Sequence, residues 1–292
     1  MSTAEVVVKE SCILGESPIW SVAEQVLYWV DVLNPSIHRF DPATGAHDRW
    51  LIETEIGSIG LASGNRLVAG LRMGFALYDL GSSKLEIIND PEGHGRQNTN
   101  RLNDGKVDRA GRFWCGSMQD PGREPVGTLY RMDTDRSVHA MADGIRVPNA
   151  LCWSPDDRTM YFADTYAECI WAYNYDLATG AIENRRVFAK TGEGTGRQDG
   201  ATVDSEGFVW NAHIFAGRVV RYDPHGRIER EIAVPTSQVT SCAFGGPDLG
   251  ILYITTASMR MSRDELAADP LAGSLFAVDT GVRGLPEPRF GG

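Results

Sequence analysis

The chain has 292 residues, of which 42% are hydrophobic and 23% charged, a composition typical of a soluble globular protein. It has 28 lysines and arginines against 39 aspartates and glutamates. The resulting net charge of −11 argues against nucleic acid and anionic lipid as partners, because both need a positive protein surface. No stretch approaches the roughly 18 uninterrupted apolar residues that a membrane-spanning helix needs.

The N-terminal residues and the cysteines bear on the cellular compartment. Residues 1–10 lack a basic start followed by an apolar run, so we expect no secretory signal. The cysteines are odd in number and widely scattered, which indicates neither a disulfide framework nor a CxxC zinc site. We therefore expect reduced thiols in a cytoplasmic protein; the cysteines are Cys12, Cys115, Cys152, Cys169 and Cys242.

One type of turn recurs along the chain. Short apolar runs bounded by Gly, Asp, Asn and Pro predict strands, and helix-period patterns are scarce. An aspartate follows an aromatic or apolar residue at a mean spacing of about 48 residues, at positions 41, 79, 133, 176, 223 and 279. Aspartate suits such a turn because its carboxylate can accept a hydrogen bond from the backbone two residues on.

A second series of turns interleaves with the first. Its members begin at Trp20, Leu61, Val107, Trp153, Val203 and Phe244. Six copies of each series predict six units of about four strands, which is typical of an all-β, six-bladed β-propeller. The last unit lacks one strand, and we expect the N-terminal run Val6-Val7-Val8 to complete it and close the ring. This reading predicts a single domain over residues 1–292.

Oxygen-bearing side chains recur four residues before the second series. The positions hold Glu16, Gly57, Asn103, Asn149, Asp199 and Thr240. In a propeller these residues enter the innermost strands, so we expect them to converge on the central channel. Oxygen donors without His or Cys predict a hard divalent cation such as Ca²⁺, Mg²⁺ or Mn²⁺, although Zn²⁺ and Fe²⁺ also accept oxygen ligands.

Each of these residues also has an ordinary explanation as a turn or loop residue. Asp199 precedes a glycine, Asn149 follows a proline, and Glu16 precedes Ser-Pro. The shared offset in four of the six repeats favours the metal site.

Four segments carry a resemblance to a known family: Leu14–Trp20, Asn100–Asp108, Pro148–Asp156 and Asp199–Trp210. They resemble the senescence marker protein-30 (regucalcin), gluconolactonase and xylonolactonase family in order and spacing. The resemblance covers essentially the whole chain. It implies a six-bladed propeller that hydrolyses sugar lactones with one divalent metal ion in the channel.

The same resemblance implies roles for individual residues. Glu16, Asn149 and Asp199 match the metal ligands, and Asp199 is also the candidate general base. A hydroxide on the ion is the alternative base. Arg101 and Asn103 match a substrate-binding pair, and Arg101 suits polyol oxygens because its donors have a fixed geometry.

Two further positions follow from the resemblance. Asp104 resembles a position that holds an accessory cation in some members. Animal members have an acidic substrate contact after their Gly-Ser/Thr-Met motif, where this chain reads Gly116-Ser-Met-Gln-Asp-Pro-Gly122. We expect Asp120 or Gln119 to take its place, and the loops 89–99 and 119–125 to overhang the channel mouth.

Other chemistries are less well supported by the sequence. There is no GxSxG or HExxH motif. His213 could face the channel but is more typical of a packed histidine, and Cys152 and Cys242 lie in apolar strand runs. The tryptophans predict packing between blades.

Three functions remain. They are a metal-dependent lactonase acting on an aldonolactone, a non-enzymatic calcium-binding propeller, and a related propeller esterase. Arg101 with Asn103 favours the lactonase over a pure cation binder, and mouth loops rich in polar residues favour it over an esterase. We expect a monomer or a weakly associating oligomer with a small-molecule substrate.

Overall fold

The computed structural model describes residues 3–93, 99–192 and 194–292. Its strands form six sheets, in each of which successive strands pair antiparallel. This is the six-bladed β-propeller that the two series of turns predict. The chain is all-β except for one short helix, α1 (Arg263–Ala268), within the described residues.

The blades follow one another along the chain. The strands are β1 (Glu5–Val8); β2 (Gly15–Ser21), β3 (Val26–Asp31), β4 (Ser36–Asp41) and β5 (Ala46–Leu51) in blade 1; β6 (Ile56–Ala62), β7 (Arg66–Leu71), β8 (Gly74–Asp79) and β9 (Lys84–Asn89) in blade 2; β10 (Asn100–Val107), β11 (Phe113–Gln119), β12 (Gly127–Met132) and β13 (Val138–Ile145) in blade 3; β14 (Pro148–Trp153), β15 (Thr159–Asp164), β16 (Cys169–Asp176) and β17 (Ala181–Lys190) in blade 4; β18 (Arg197–Val203), β19 (Val209–Ile214), β20 (Arg218–Tyr222) and β21 (Ile228–Ala233) in blade 5; β22 (Val239–Gly245), β23 (Ile251–Thr256) and β24 (Leu275–Asp279) in blade 6; and β25 (Arg289–Phe290).

The innermost strands of the blades form a closed ring. Each of β2, β6, β10, β14, β18 and β22 contacts the innermost strands of both neighbouring blades, and β22 contacts β2. In blade 6, β1 pairs antiparallel with β24 as the outermost strand.

The hydrophobic core is divided among the interfaces between adjacent blades. One cluster joins blades 1 and 2 through residues such as Tyr28 and Leu67, and five similar clusters occupy the other interfaces. Aromatic rings connect blades as predicted: Trp20 stacks on Tyr253 with ring centroids 5.6 Å apart, and Trp114 meets Trp153 edge-on.

The predicted turn aspartates lie where the third strand of each blade ends. Their carboxylates accept a hydrogen bond from the backbone N–H two residues on at Asp41, Asp79, Asp176, Asp223 and Asp279. In blade 3, Asp133 is instead paired with Arg131 at 2.6 Å.

The C-terminal segment crosses the end of the channel opposite to the predicted ligands. The Ser205 N–H donates to the Arg283 carbonyl, and the Glu287 carboxylate lies 3.4 Å from the Lys106 ammonium group. Strand β25 then pairs in parallel with β6. The sequence did not indicate this strand, because two residues carry no periodicity.

All five cysteines are buried and unpaired. No helix in the described part of the chain is long and apolar enough to cross a bilayer.

Candidate active site

Each innermost strand contains a β-bulge at the position that the sequence offset singles out. The register shifts occur between Glu16 and Ile19, Ile56 and Ser58, Leu102 and Gly105, Asn149 and Cys152, Gln198 and Ala201, and Val239 and Ser241. A bulge re-aims side chains relative to the regular pleat. The six repeats therefore present their side chains to the channel through the same local distortion.

Two bulges contain backbone in the left-handed region. Ser17 has φ of 51° and Ala150 has φ of 58°, and each directly follows a predicted metal ligand, Glu16 or Asn149. Non-glycine residues adopt this conformation at a cost of roughly 1 kcal/mol or more, and it persists where the surrounding structure requires it.

A cavity of about 350 Å³ opens at this end of the channel. It brings together six of the predicted site residues, which come from blades 1, 3, 4 and 5: Glu16, Arg101, Asn103, Asp120, Asn149 and Asp199. Asp104 is not part of the lining; its Oδ2 accepts a hydrogen bond from the Leu151 N–H at 3.2 Å.

Glu16 and Asp199 form a pair of buried carboxyl groups. They are 7% and 5% exposed and lie within hydrogen-bonding reach of one another. Burial raises the pKa of Glu16, and the charge of Asp104 raises it further. Burial likewise raises the pKa of Asp199, followed by the charges of Glu16 and Asp104. Without a cation, the pair therefore favours a bound proton.

The side chain of Asn149 is oriented by a hydrogen-bond chain. Its Nδ2 donates to Thr165 Oγ1 at 2.8 Å, and that hydroxyl donates to the Gln198 carbonyl at 2.9 Å. Because the hydroxyl hydrogen is used, Thr165 must accept from the amide. The Oδ1 atom of Asn149 is thereby left as an oxygen donor beside the two carboxylates.

These three side chains fit a hard divalent cation. Two carboxylates and an amide oxygen are the donor types that Ca²⁺, Mg²⁺ and Mn²⁺ prefer. A cation between Glu16 and Asp199 would also remove the repulsion that raises both pKa values.

Arg101 lies on the wall beside these donors. Its Nε donates to Asp120 Oδ2 at 2.7 Å and its Nη1 to Asn103 Oδ1 at 2.7 Å. Among the described residues Nη2 has no hydrogen-bond partner, so its two hydrogens remain for a ligand. Burial lowers the pKa of Arg101, and the charge of Asp120 offsets part of this effect.

Asn103 is more fully engaged than the sequence suggested. Its Nδ2 donates to the Pro148 carbonyl at 2.9 Å and points to Asn149 Oδ1 at 3.5 Å, while its Oδ1 accepts from Arg101. These contacts suit a residue that orients Arg101 and Asn149, and direct contact with substrate stays a prediction.

Of the two residues expected to take the place of the acidic substrate contact, Asp120 lines the cavity and Gln119 does not. The Gln119 Oε1 accepts from the Glu124 N–H at 3.2 Å. Burial alone would raise the pKa of Asp120, but Arg101, Arg123 and Arg72 outweigh it and the net shift is downward. Asp120 is therefore an ionised group on the cavity wall. Of the loop 89–99, residues 94–98 lie outside the described residues.

The sequence did not predict much of the cavity mouth. Loops that join the second and third strands of their blades, together with residues just before β2, contribute Ile13, Leu33, Tyr166, Phe215, Met259 and Arg260. The mouth therefore contains more apolar side chains than its loop composition suggested, and its polarity does not separate a lactonase from an esterase as expected. Arg197 was also missed, although it stands six residues before Val203 as Arg101 stands six before Val107.

Other candidate groups lie elsewhere. His213 is buried, with its ring nitrogens 3.1 Å from the Thr195 carbonyl and 3.0 Å from the Tyr222 hydroxyl, as expected of a packed histidine. Glu10, His38 and His47 place potential ligand atoms within 4.8 Å of one another on the blade 1 side, but none of the three lines the cavity.

Comparison with known proteins places this geometry in a family. The chain is 40% identical over 293 residues to a 6-deoxy-6-sulfogluconolactonase from Pseudomonas putida, with 99% of each chain covered. It is 38% identical to a pentonolactonase from Haloferax volcanii, covering 97% of this chain and 96% of the other. A calcium-binding regucalcin from Agrobacterium tumefaciens superimposes with a TM-score of 0.94 at 28% identity, covering 99% and 97%. Residues 14–258 match the model of the SMP-30/gluconolactonase/LRE-like region, and the chain belongs to this family.

Proposed function

We propose that this protein hydrolyses a sugar lactone to the corresponding aldonic acid, with a divalent cation held by Glu16, Asn149 and Asp199. The observation that carries the proposal is the convergence of two buried carboxylates and an oriented amide oxygen beside Arg101. Relatives named as sugar lactonases over nearly the full length support the reaction class.

A lactone is a cyclic ester, so its hydrolysis needs a polarised carbonyl, an activated water and groups that hold the ring. A bound divalent cation supplies Lewis-acid polarisation and positive charge for the developing oxyanion. Asp199 takes the proton of the attacking water while the water oxygen bonds to the carbonyl carbon. The ring C–O bond then breaks, and Asp199 returns this proton to the leaving ring oxygen, which becomes a hydroxyl group.

The remaining polar residues bind and orient the substrate. The free Nη2 of Arg101 donates to ring or hydroxyl oxygens, and Asp120 and Asn103 hold the guanidinium in place from two sides. A pure cation site needs no guanidinium beside its ligands, so this arrangement favours a polyol substrate over calcium storage. The apolar side chains at the mouth can cover the C–H faces of a sugar ring.

Proton release at constant pH from a panel of γ- and δ-aldonolactones tests the proposal. The protein is stripped with a chelator and then given Ca²⁺, Mg²⁺, Mn²⁺, Zn²⁺ or, anaerobically, Fe²⁺. We expect turnover above the spontaneous rate only after a cation is restored, and none in Asp199→Asn. Tight cation binding without turnover of any lactone would instead support the calcium-binding propeller.

A further inference from the structure

Arginines outnumber acids around the cavity, although the chain as a whole carries a net charge of −11. The residues that line the cavity include four arginines and three acidic residues: Arg101, Arg123, Arg197 and Arg260, and Glu16, Asp120 and Asp199. If a divalent cation occupies the site between Glu16 and Asp199, four guanidinium groups face the single carboxylate of Asp120. That carboxylate is shared: it lies 2.7 Å from Arg101 Nε and 3.7 Å from Arg123 Nη1.

Two of these arginines, Arg197 and Arg260, have few negatively charged neighbours; they are called the outer arginines below. Arg197 Nε is 4.0 Å from a carboxylate oxygen of Glu168, whose side chain is 56% exposed, and its guanidinium lies over the Tyr166 ring at 4.7 Å. Arg260 makes no hydrogen bond or ion pair with any residue that the structure describes. A stacked, weakly paired guanidinium is well suited to bind an oxyanion.

The backbone holds both arginines at the outer part of the cavity. Arg197 precedes Asp199 by two residues on β18, which places it one side-chain layer nearer the mouth, about 6–7 Å along the strand. Arg260 has φ of 61° in a turn that is tied down by the Gln238 side chain, which donates to the Met259 carbonyl at 3.0 Å. The Ser258 hydroxyl of this turn donates to the Cys12 carbonyl at 2.9 Å.

From this placement we propose that the substrate is a sugar lactone with an anionic group at the end remote from its ring carbonyl, bound by Arg197 and Arg260. The inference rests on the proposed lactonase function. Sulfonate, phosphate and carboxylate share the required chemistry. Hydrolysis itself creates a carboxylate, but this group forms beside Asp199 and Arg101, one side-chain layer deeper in the cavity than Arg197. The product carboxylate is therefore not the anion that we assign to Arg197 and Arg260.

The test compares kcat/KM for glucono-δ-lactone with that for its 6-phospho and 6-deoxy-6-sulfo derivatives and for glucarolactone. We expect at least one anionic lactone to be preferred by about tenfold or more. Arg197→Gln and Arg260→Gln should each lower kcat/KM for that lactone about tenfold and leave the neutral lactone within about twofold. Arg283→Gln, at a residue whose side chain is 67% exposed and paired with Asp248, is the matched control.

A binding measurement without turnover accompanies the kinetics. Calorimetry with 6-phosphogluconate and gluconate should give tighter binding of the phosphorylated acid, and this advantage should disappear in Arg197→Gln. Equal kcat/KM for neutral and anionic lactones, with unchanged values in both variants, would overturn this inference and leave the lactonase function intact. Absence of turnover with every lactone and cation would overturn the lactonase function itself.

Discussion

The Nδ2 of Asn149 donates to the Thr165 hydroxyl at 2.8 Å, and this hydroxyl donates in turn to the carbonyl of Gln198, the residue before Asp199. One hydroxyl group therefore connects the innermost strands of blades 4 and 5 at their proposed ligands. Thr165 does not itself need to touch a cation. By accepting from Nδ2, Thr165 leaves the Oδ1 atom of Asn149 for the proposed cation.

Replacing Thr165 tests this positioning role. Thr165→Val keeps the volume and removes both hydrogen bonds, so the amide of Asn149 is free to rotate. We expect cation affinity, measured by calorimetry, to fall about 10- to 100-fold. Thr165→Ser should restore most of the affinity because it retains the hydroxyl. Equal affinities of Thr165→Val and wild type would show that the amide orientation is fixed by other contacts.

The carboxyl pair predicts opposite effects on stability with and without a cation. Glu16 and Asp199 are buried together, so Asp199→Asn or Glu16→Gln removes repulsion, and the cation-free variants should melt at or above the wild-type temperature. A cation at about 100 times its Kd should stabilise the wild type by about 2.7 kcal/mol and the variants far less. Both variants should lose turnover. Equal cation-induced stabilisation of variants and wild type would contradict the ligand assignment.

Arg101 should affect catalysis without affecting the cation. Arg101→Lys keeps the charge but cannot donate to Asp120, to Asn103 and to a substrate in the same fixed geometry. We expect kcat/KM to fall roughly 10- to 100-fold while calorimetric cation affinity stays within about twofold. Loss of the bound cation in this variant would mean that Arg101 supports the ligands and does not hold the substrate.

Repeated local sequence patterns explain why the fold, and the convergence of polar residues on one cavity, could be predicted. The turn aspartates recur once per blade, and the polar residues that enter the innermost strands stand at one offset from a second repeated turn, so periodicity alone located the cavity residues Glu16, Asn103, Asn149 and Asp199. Arg197 could have been found by the same reasoning from Arg101.

The residues at the mouth of the cavity follow no repeated sequence pattern of this kind. Phe215 and Arg260 belong to loops of the neighbouring blades 5 and 6, and they line one cavity only because these two blades pack side by side. The two-residue strand β25 likewise depends on the distant partner Leu61. Loop residues brought together by tertiary structure are not encoded in any repeat.

A buried histidine predicts a loss of stability in acid. Burial, together with the nearby His47 and Arg49, lowers the pKa of His38 to about 3, whereas in the unfolded chain it is about 6.5. The unfolded chain therefore binds a proton that the folded protein does not, and stability falls as the pH drops below 6.5. Between pH 7 and pH 5 the loss amounts to about 2 kcal/mol for this group.

Urea unfolding at both pH values measures this loss. His38→Gln cannot titrate, so its free energy of unfolding should depend on pH less steeply than that of the wild type, by about 2 kcal/mol over this interval. The other histidines are present in both proteins, which makes the difference specific to the environment of His38. Parallel pH dependences would show that His38 is already neutral in the unfolded ensemble or protonated in the fold.

In blades 3 and 5 a buried aspartate accepts hydrogen bonds from a tryptophan and from an arginine. The Oδ2 of Asp204 accepts from Trp210 Nε1 at 2.8 Å and from Arg221 Nε at 2.9 Å, and Asp108 accepts from Trp114 Nε1 at 2.8 Å and from Arg112 Nε at 2.7 Å. In each case a turn aspartate anchors the tryptophan that packs between blades. Asp204→Asn places an amide where both donors need an acceptor, and it leaves the 3%-exposed Arg221 without its buried counter-ion.

We expect Asp204→Asn to lower the free energy of unfolding by about 3 kcal/mol, measured in urea. The control is Asp248→Asn, at an aspartate in the turn after the innermost strand of blade 6 whose side chain is 59% exposed, and it should change stability little because water replaces its contact with Arg283. Similar stabilities of the two variants would mean that Glu206 and Glu229, which also contact Arg221, suffice to hold it. Since Asp204 follows β18, loosening this turn should also weaken cation binding at Asp199 on the same strand.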